Sequence, residues 1–155
     1  MFHYILSLGL IHHNFILRQA YSMFEKGNKI LQDQPFSRLL GTELTELSLG
    51  KAELSLRISN KLTQNYGFVH GGVLSYLADN CITFAAATVF DKCITSEYKI
   101  SYVRPAIGKL LIARSTVLSS GRKQATCECK VYSVNEEGEK LVAAALGTIS
   151  NMNYP

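Results

Sequence analysis

A chain of 155 residues that is 47% apolar and 18% charged has the material for one hydrophobic core and is too apolar to stay disordered. Its formal net charge of +4 comes from scattered Lys and Arg with no run of five or more, which argues against nucleic acid as a partner and leaves a diffuse positive field that is either suited to an anionic small molecule or an ordinary solvated surface. No stretch of about 18 consecutive apolar residues occurs, so no membrane span is expected. Cys81, Cys93, Cys127 and Cys129 lack the paired spacing of a zinc site, and Cys127 and Cys129 would share one face of a strand. They read as reduced thiols of a cytoplasmic protein, with no metal and no cofactor.

The first twenty or so positions are hydrophobic but have no positive n-region, are interrupted by His3, His12, His13 and Asn14, and lack a small-residue cleavage pattern, so they are not a signal peptide. Two readings stay open: an amphipathic helix over residues 5–24, or a natural start at Met23 preceded by an over-extended reading frame. Residues 1–33 are taken as a helical extension and residues 34–155 as the single domain. Gln34-Pro35-Phe36 breaks the helical pattern. Alternating residues 42–47 and 51–58 then flank Ser48-Leu49-Gly50 as a hairpin, with Ala52, Leu54, Leu56 and Ile58 on one face.

Residues 72–90 switch period: Val73, Leu74, Leu77, Ala78, Cys81, Ile82, Ala85, Ala86 and Val89 recur at three- and four-residue steps, which predicts a largely buried helix. Strand-like runs follow at 94–102, 109–119, 124–134 and 140–150, separated by Pro105-Ala106-Ile107-Gly108, Ser120-Gly121-Arg122 and Asn135-Glu136-Glu137-Gly138. A hairpin, one buried helix and a long antiparallel meander make an α+β layer in which the sheet curls around the helix. A parallel βαβ sheet is disfavoured, because no helices lie between the later strands.

The chemistry-bearing stretch is Gln64-Asn65-Tyr66-Gly67-Phe68-Val69-His70-Gly71-Gly72, running into the helix that carries Asp79. A helix N-terminus presents unpaired N–H groups and the positive end of a dipole, and glycine lets a carbonyl oxygen approach them, so Gly71 and Gly72 can hold a developing oxyanion. Asp79 would supply the base, because a carboxylate in an apolar helix requires a partner or water. At 1.5 Å rise per residue, the eight-residue gap from Gly71 to Asp79 spans roughly 12 Å, too far for both to reach one carbonyl. Two such helices packed antiparallel across a two-fold axis would bring Gly71 of one subunit near Asp79 of the other, which predicts an obligate homo-oligomer. His70 is either a general base or a loop-orienting hydrogen-bond partner. Gln64 and Asn65 are amide donors or ordinary polar residues, and Tyr66 and Phe68 are acyl-pocket or core residues.

At these positions the chain resembles the hotdog-fold acyl-CoA thioesterases of the phenylacetate-degradation (PaaI-like) type. The resemblance rests on Gln64, Gly67, His70-Gly71-Gly72, Leu77-Ala78-Asp79 and Tyr102-Val103-Arg104-Pro105-Ala106, and covers roughly residues 36–150. It implies a hotdog fold, a curled antiparallel sheet around one long helix, in a homodimer or homotetramer acting on an acyl-CoA substrate. The Gly71 N–H would polarise the thioester carbonyl, His70 would fix the loop, and Asp79 of the facing subunit would act as base or as nucleophile. Many relatives carry asparagine six residues before the histidine; here that position is Gln64, as in the aryl-CoA thioesterase branches, with Asn65 one step away. Thr95 and Thr83 are the two candidate hydroxyls for holding an attacking water. A hotdog dehydratase or hydratase acting on acyl thioesters, and a non-catalytic acyl-CoA-binding module, are the rival readings.

Overall fold

Alternation and helical period become ten elements in the computed structural model, which describes residues 2–154, with side chains from residue 18 onward. In chain order these are α1 (Phe2–Asp33), α2 (Pro35–Leu40), β1 (Thr42–Ser48), β2 (Lys51–Arg57), a single 3₁₀ turn (Asn60–Leu62), α3 (Gly71–Ala87), β3 (Cys93–Tyr102), β4 (Leu110–Ser120), β5 (Gln124–Asn135) and β6 (Gly138–Asn151). The strands form one antiparallel sheet in the order β1-β2-β4-β5-β6-β3. α3 packs against all six strands, so the sheet curls around it as expected of an α+β hotdog arrangement.

The later strands are not one continuous meander. β4, β5 and β6 are, but β3 pairs with β6 at the far edge and not with β4. The stretch from Val103 to Lys109 therefore crosses the end of the sheet instead of closing a tight turn. It is held there by backbone bonds from Val69 to Ala106 and from Ile58 to Lys109, and Ala106 is buried. A proline that fixes its own φ and a glycine at φ +155°, where a Cβ would meet the Val134 carbonyl oxygen at 2.3 Å, shape this crossing.

The face of α3 read from its period is buried: Leu74, Leu77, Ala78, Cys81, Ile82, Ala85 and Ala86 point into the sheet. Cys127 and Cys129 share the inward face of β5. The helix stops at Ala87, short of the expected residue 90. Thr88 ends it by donating its hydroxyl to the Ala85 carbonyl (2.7 Å) while accepting from the Gly50 N–H (2.7 Å), which ties the helix end to the β1–β2 turn. Removing bulk from this core is expected to be expensive. Leu77 is fully buried, and Leu77→Ala should lower stability by about 2–5 kcal/mol and the melting temperature by roughly 4–20 °C. Denaturant titration measures it, and a loss below about 1 kcal/mol would contradict the packing described.

α1 runs further in both directions than the expected 5–24. The amphipathic character expected there falls, up to residue 17, outside the described side chains. Beyond that point α1 joins the core through Met23, Phe24 and Leu31. Gly27 lies so close to β1 that a Cβ would meet Leu47 Cδ2 at 2.5 Å. The short α2 was not expected. Pro35 opens it at a first-turn position where a missing N–H is harmless, and Gly41 closes it in the left-handed conformation (φ +71°), donating to the Arg38 and Ser37 carbonyls.

Candidate active site

One stripe of α3 stays half-exposed, and its polar residues turn to two sides. Towards α1 and α2, the Tyr76 hydroxyl donates to Ser37 (2.7 Å), and the Asn80 amide donates to Gln34 Oε1 (3.3 Å) and to Tyr76 Oη (3.1 Å). This network joins α3 to the N-terminal helices. Towards β3, Ser75 bonds the Tyr98 hydroxyl, and Asp79 meets two threonines.

Thr95 Oγ1 donates to Asp79 Oδ1 at 2.8 Å, Thr83 Oγ1 lies 2.9 Å from Thr95 Oγ1, and Thr83 Oγ1 is 3.0 Å from the Asp79 carbonyl oxygen. Each hydroxyl has one proton. With the Thr95 proton committed to the carboxylate, Thr83 shares its own between the Asp79 carbonyl and the Thr95 oxygen. Asp79 is half-buried, and among the described residues its Oδ2 has no hydrogen-bond partner. One carboxylate oxygen is therefore pinned and the other is free for a water.

Thr95 reaches this cluster because of a bulge. The β3–β6 register shifts between Thr95 and Glu97, re-phasing the strand so that Thr95 and Tyr98 both face α3. Beside the cluster, Cys93 Sγ lies 3.7 Å from the Thr83 carbonyl, and partial burial raises its pKa. Burial also pushes the Cys127 thiol up to about 11, and burial, followed by the hydrogen bond with the neighbouring Cys129 thiol, raises Cys81 well above the ordinary range. These thiols stay protonated and are poor nucleophiles.

The helix start forms a second group. His70 is the N-cap of α3 in extended conformation (φ −61°, ψ 135°), and its Nδ1 accepts from the Gly72 N–H at 2.9 Å. Its backbone N–H donates to the Leu62 carbonyl at 2.8 Å. A Cβ on Gly72 would come 3.0 Å from His70 Nδ1, so a side chain there would press the imidazole away from its capping position. The Gly71 N–H has no acceptor among the described residues, while the Tyr102 hydroxyl donates to the Gly71 carbonyl at 3.1 Å. Gly71 opens onto a recess of about 290 Å³ that Phe68, Leu74, Tyr102, Arg104 and Pro105 also line.

The loop before the helix closes on itself. The Gln64 N–H donates to the Phe68 carbonyl (2.9 Å), the Gly67 N–H donates to the Gln64 carbonyl (2.9 Å), and Gly67 takes φ +84° to make the turn. The Gln64 Oε1 accepts from the Tyr66 N–H (3.3 Å), which leaves its amide protons unused. Asn65 is exposed at the loop tip. Tyr66 is 78% exposed, stacked on Phe68 with ring centroids 6.2 Å apart, and is not a core residue.

The structure thus gathers Gln64, His70, Gly71 and Gly72 at one end of α3, and Asp79, Thr83 and Thr95 about two turns further on. A single chain does not join the two groups, since eight helical residues span roughly 12 Å. Ser75, Tyr98 and Tyr102 brace the site; of these the sequence reading names only Tyr102, and for its place in the Arg104-Pro105 turn, not for a bracing role. Ser75 lies one turn before Asp79, and Tyr98 and Tyr102 share a β3 face, a spacing from which they could have been found. Among the described residues no helix is long and apolar enough to cross a membrane, and no cluster of three or more His, Cys, Asp or Glu is placed to hold a metal ion.

Known proteins share this fold. The sequence profile of the thioesterase superfamily matches residues 66–140, the segment that holds Gly71, Asp79, Thr83 and Thr95. The chain is 26% identical over 114 residues to the 1,4-dihydroxy-2-naphthoyl-CoA hydrolase of Listeria monocytogenes, covering 72% of this chain and 90% of that one. A thioesterase family protein from Silicibacter pomeroyi superposes with a TM-score of 0.79 at 26% identity, over 83% of this chain and 96% of that one. A variant of the phenylacetic acid degradation protein PaaI from Thermus thermophilus superposes with a TM-score of 0.69 at 30% identity, over 77% of this chain and all (100%) of that one. With its helix wrapped by a six-stranded antiparallel sheet and these relatives, the chain belongs to the thioesterase superfamily and has its hotdog fold.

Proposed function

We propose that the protein hydrolyses an acyl-CoA thioester to free acid and CoA, at a site built from two subunits of a homodimer or homotetramer. The observation that carries this reading is Asp79: a carboxylate two turns into an apolar helix, with one oxygen fixed by Thr95 and the other free. In the reaction, the thioester carbonyl oxygen sits at the Gly71 N–H of one subunit, where the helix dipole and the unpaired donor favour developing negative charge. Asp79 of the facing subunit takes a proton from a water, and the hydroxide attacks the carbonyl carbon. The tetrahedral intermediate collapses with release of the CoA thiolate. Gln64 directs its spare amide protons towards the carbonyl side, His70 holds the loop through the Gly72 N–H, and Thr83 steadies Thr95. Asn65 and Gly72 belong to the substrate-binding edge of the same loop. The diffuse positive charge suits a phosphate-bearing carrier.

A thiol-release assay against a panel of aliphatic and aromatic acyl-CoAs, naphthoyl-type thioesters included because two relatives are named for them, tests the reading. Free thiol released in proportion to enzyme is the expected result. Tight binding without release would instead favour a non-catalytic binding module, and loss of water from a β-hydroxyacyl thioester would favour a dehydratase.

A further inference from the structure

A large cavity lies behind Thr83, between α1 and the C-terminal half of α3, where the mechanism just given makes no use of it. It has a volume of about 970 Å³, at the upper end of the roughly 300–1,000 Å³ typical of small-molecule pockets. We propose that this cavity is the acyl pocket of the thioester site and that its occupant is an unsubstituted aliphatic chain of medium to long length; the proposal rests on the thioesterase reading.

Three observations support it. The first is continuity: Thr83 belongs both to the cavity wall and to the hydroxyl pair that holds Asp79, so the cavity begins two hydrogen bonds from the carboxylate. The second is the lining: Met23, Leu47, Phe84, Val89, Phe90 and Met152 make an apolar surface in which the two methionines can follow a flexible chain. The third is the state of the polar residues in the wall. Thr88 is taken up by Ala85 and Gly50, Gln34 by Ser37 and Asn80, and Thr83 by Asp79 and Thr95. Among the described residues no buried side-chain polar atom lacks a partner, so the inner wall presents mainly apolar surface to a hydrocarbon tail, while the polar Arg18, Gln19 and Ser22 of the lining are exposed. The cations of the lining, Arg18, Lys26 and Lys92, are exposed, and Lys26 pairs with Asp91 at 2.9 Å.

The wall's construction explains why α1 is part of the enzyme. Gly27 lets α1 settle against Leu44 and Leu47, and Ile30 of the same helix and Ala87 of α3 both line the space. Each methylene transferred from water into this lining should raise kcat/KM by up to about fourfold until the cavity is filled.

The test uses the full-length protein and acyl-CoAs from butyryl to hexadecanoyl, with hydroxylated aryl-CoAs as comparison. Two substitutions fill the cavity from opposite walls, Ala87→Phe on α3 and Ile30→Trp on α1, both at positions with exposed surface. The expected result is a wild-type kcat/KM that climbs with chain length, and a dodecanoyl-to-butyryl ratio that falls at least tenfold in each variant. Calorimetric binding of dodecanoyl-CoA to Asp79→Asn, with and without Ala87→Phe, should weaken by a similar factor. A flat wild-type profile, a preference for hydroxylated aryl groups, or ratios unmoved in both variants would overturn the pocket while leaving thioester hydrolysis standing. Absence of thiol release from every substrate, with dodecanoyl-CoA binding still weakened by Ala87→Phe, would overturn the hydrolase and leave the pocket.

Discussion

Asp79→Ala is expected to lower kcat by about 10² to 10⁴, equivalent to roughly 3–5 kcal/mol of transition-state stabilisation, with little change in melting temperature. The size follows from the role: a positioned general base contributes that much, and no other carboxylate joins the hydroxyl pair Thr83–Thr95 among the described residues. Asp79→Asn sharpens the argument. The amide oxygen can still accept from Thr95, so the local structure is kept, but the side chain no longer takes a proton. Both variants should therefore be similarly slow, and both should fold. Steady-state thiol release together with thermal melting checks this. Near-normal turnover by either would reject Asp79 as the base.

The second large effect is expected from Gly71→Pro, which deletes one backbone donor while respecting the helix. Proline is favoured at the first helical position because the N–H it lacks has no intrahelical partner. The residue before a proline must be extended, and His70 already is, at φ −61° and ψ 135°. A Cβ at this site would touch only the Tyr102 ring, at 3.4 Å, which is tight but adjustable. The variant should thus fold and bind substrate yet lose about 10² to 10³ in kcat, the loss found when one oxyanion donor is removed. Gly71→Ala, which keeps the N–H, should retain most of the activity. Equal activity of the proline and alanine variants would mean that the Gly71 N–H does not touch the reacting oxygen.

Much of the fold could be read from periodicity, because burial on one face leaves a record of period two in strands and about 3.6 in helices. Ala52, Leu54 and Leu56 on β2 and the Leu74-to-Ala86 face of α3 are examples. Features set by a single contact left no such record. The helix end at Ala87 depends on the Thr88 hydroxyl meeting the Gly50 N–H, thirty-eight residues away in the chain. The placement of β3 beside β6 depends on long-range pairing, which the strand pattern does not encode. α2 is only six residues long, too short for a helical period to emerge around Pro35.

The site was legible to the same degree. The glycine pair and the acid stood out because each is unusual where it occurs: one frees a helix start, and the other places charge among apolar neighbours. Thr83 and Thr95 could be singled out only as separate candidates. Their meeting depends on the bulge that re-phases β3, and a one-residue slip there would turn Thr95 to the other side of the sheet. The bracing by Tyr98 and Tyr102 has the same origin. The cavity behind Thr83 depends on how closely α1 approaches β1 at Gly27, a tertiary distance with no counterpart in sequence spacing.

The central claim is that each site takes its oxyanion donor from one subunit and its base from another. Co-expressing differently tagged Asp79→Ala and Gly71→Pro chains and purifying the mixed assemblies tests it directly. A mixed dimer would pair the intact Gly71 of the first chain with the intact Asp79 of the second, so it should recover about half of the wild-type activity from two almost inactive parents. Mixed assemblies as inactive as either parent would show that both groups act within one chain, and would contradict the account.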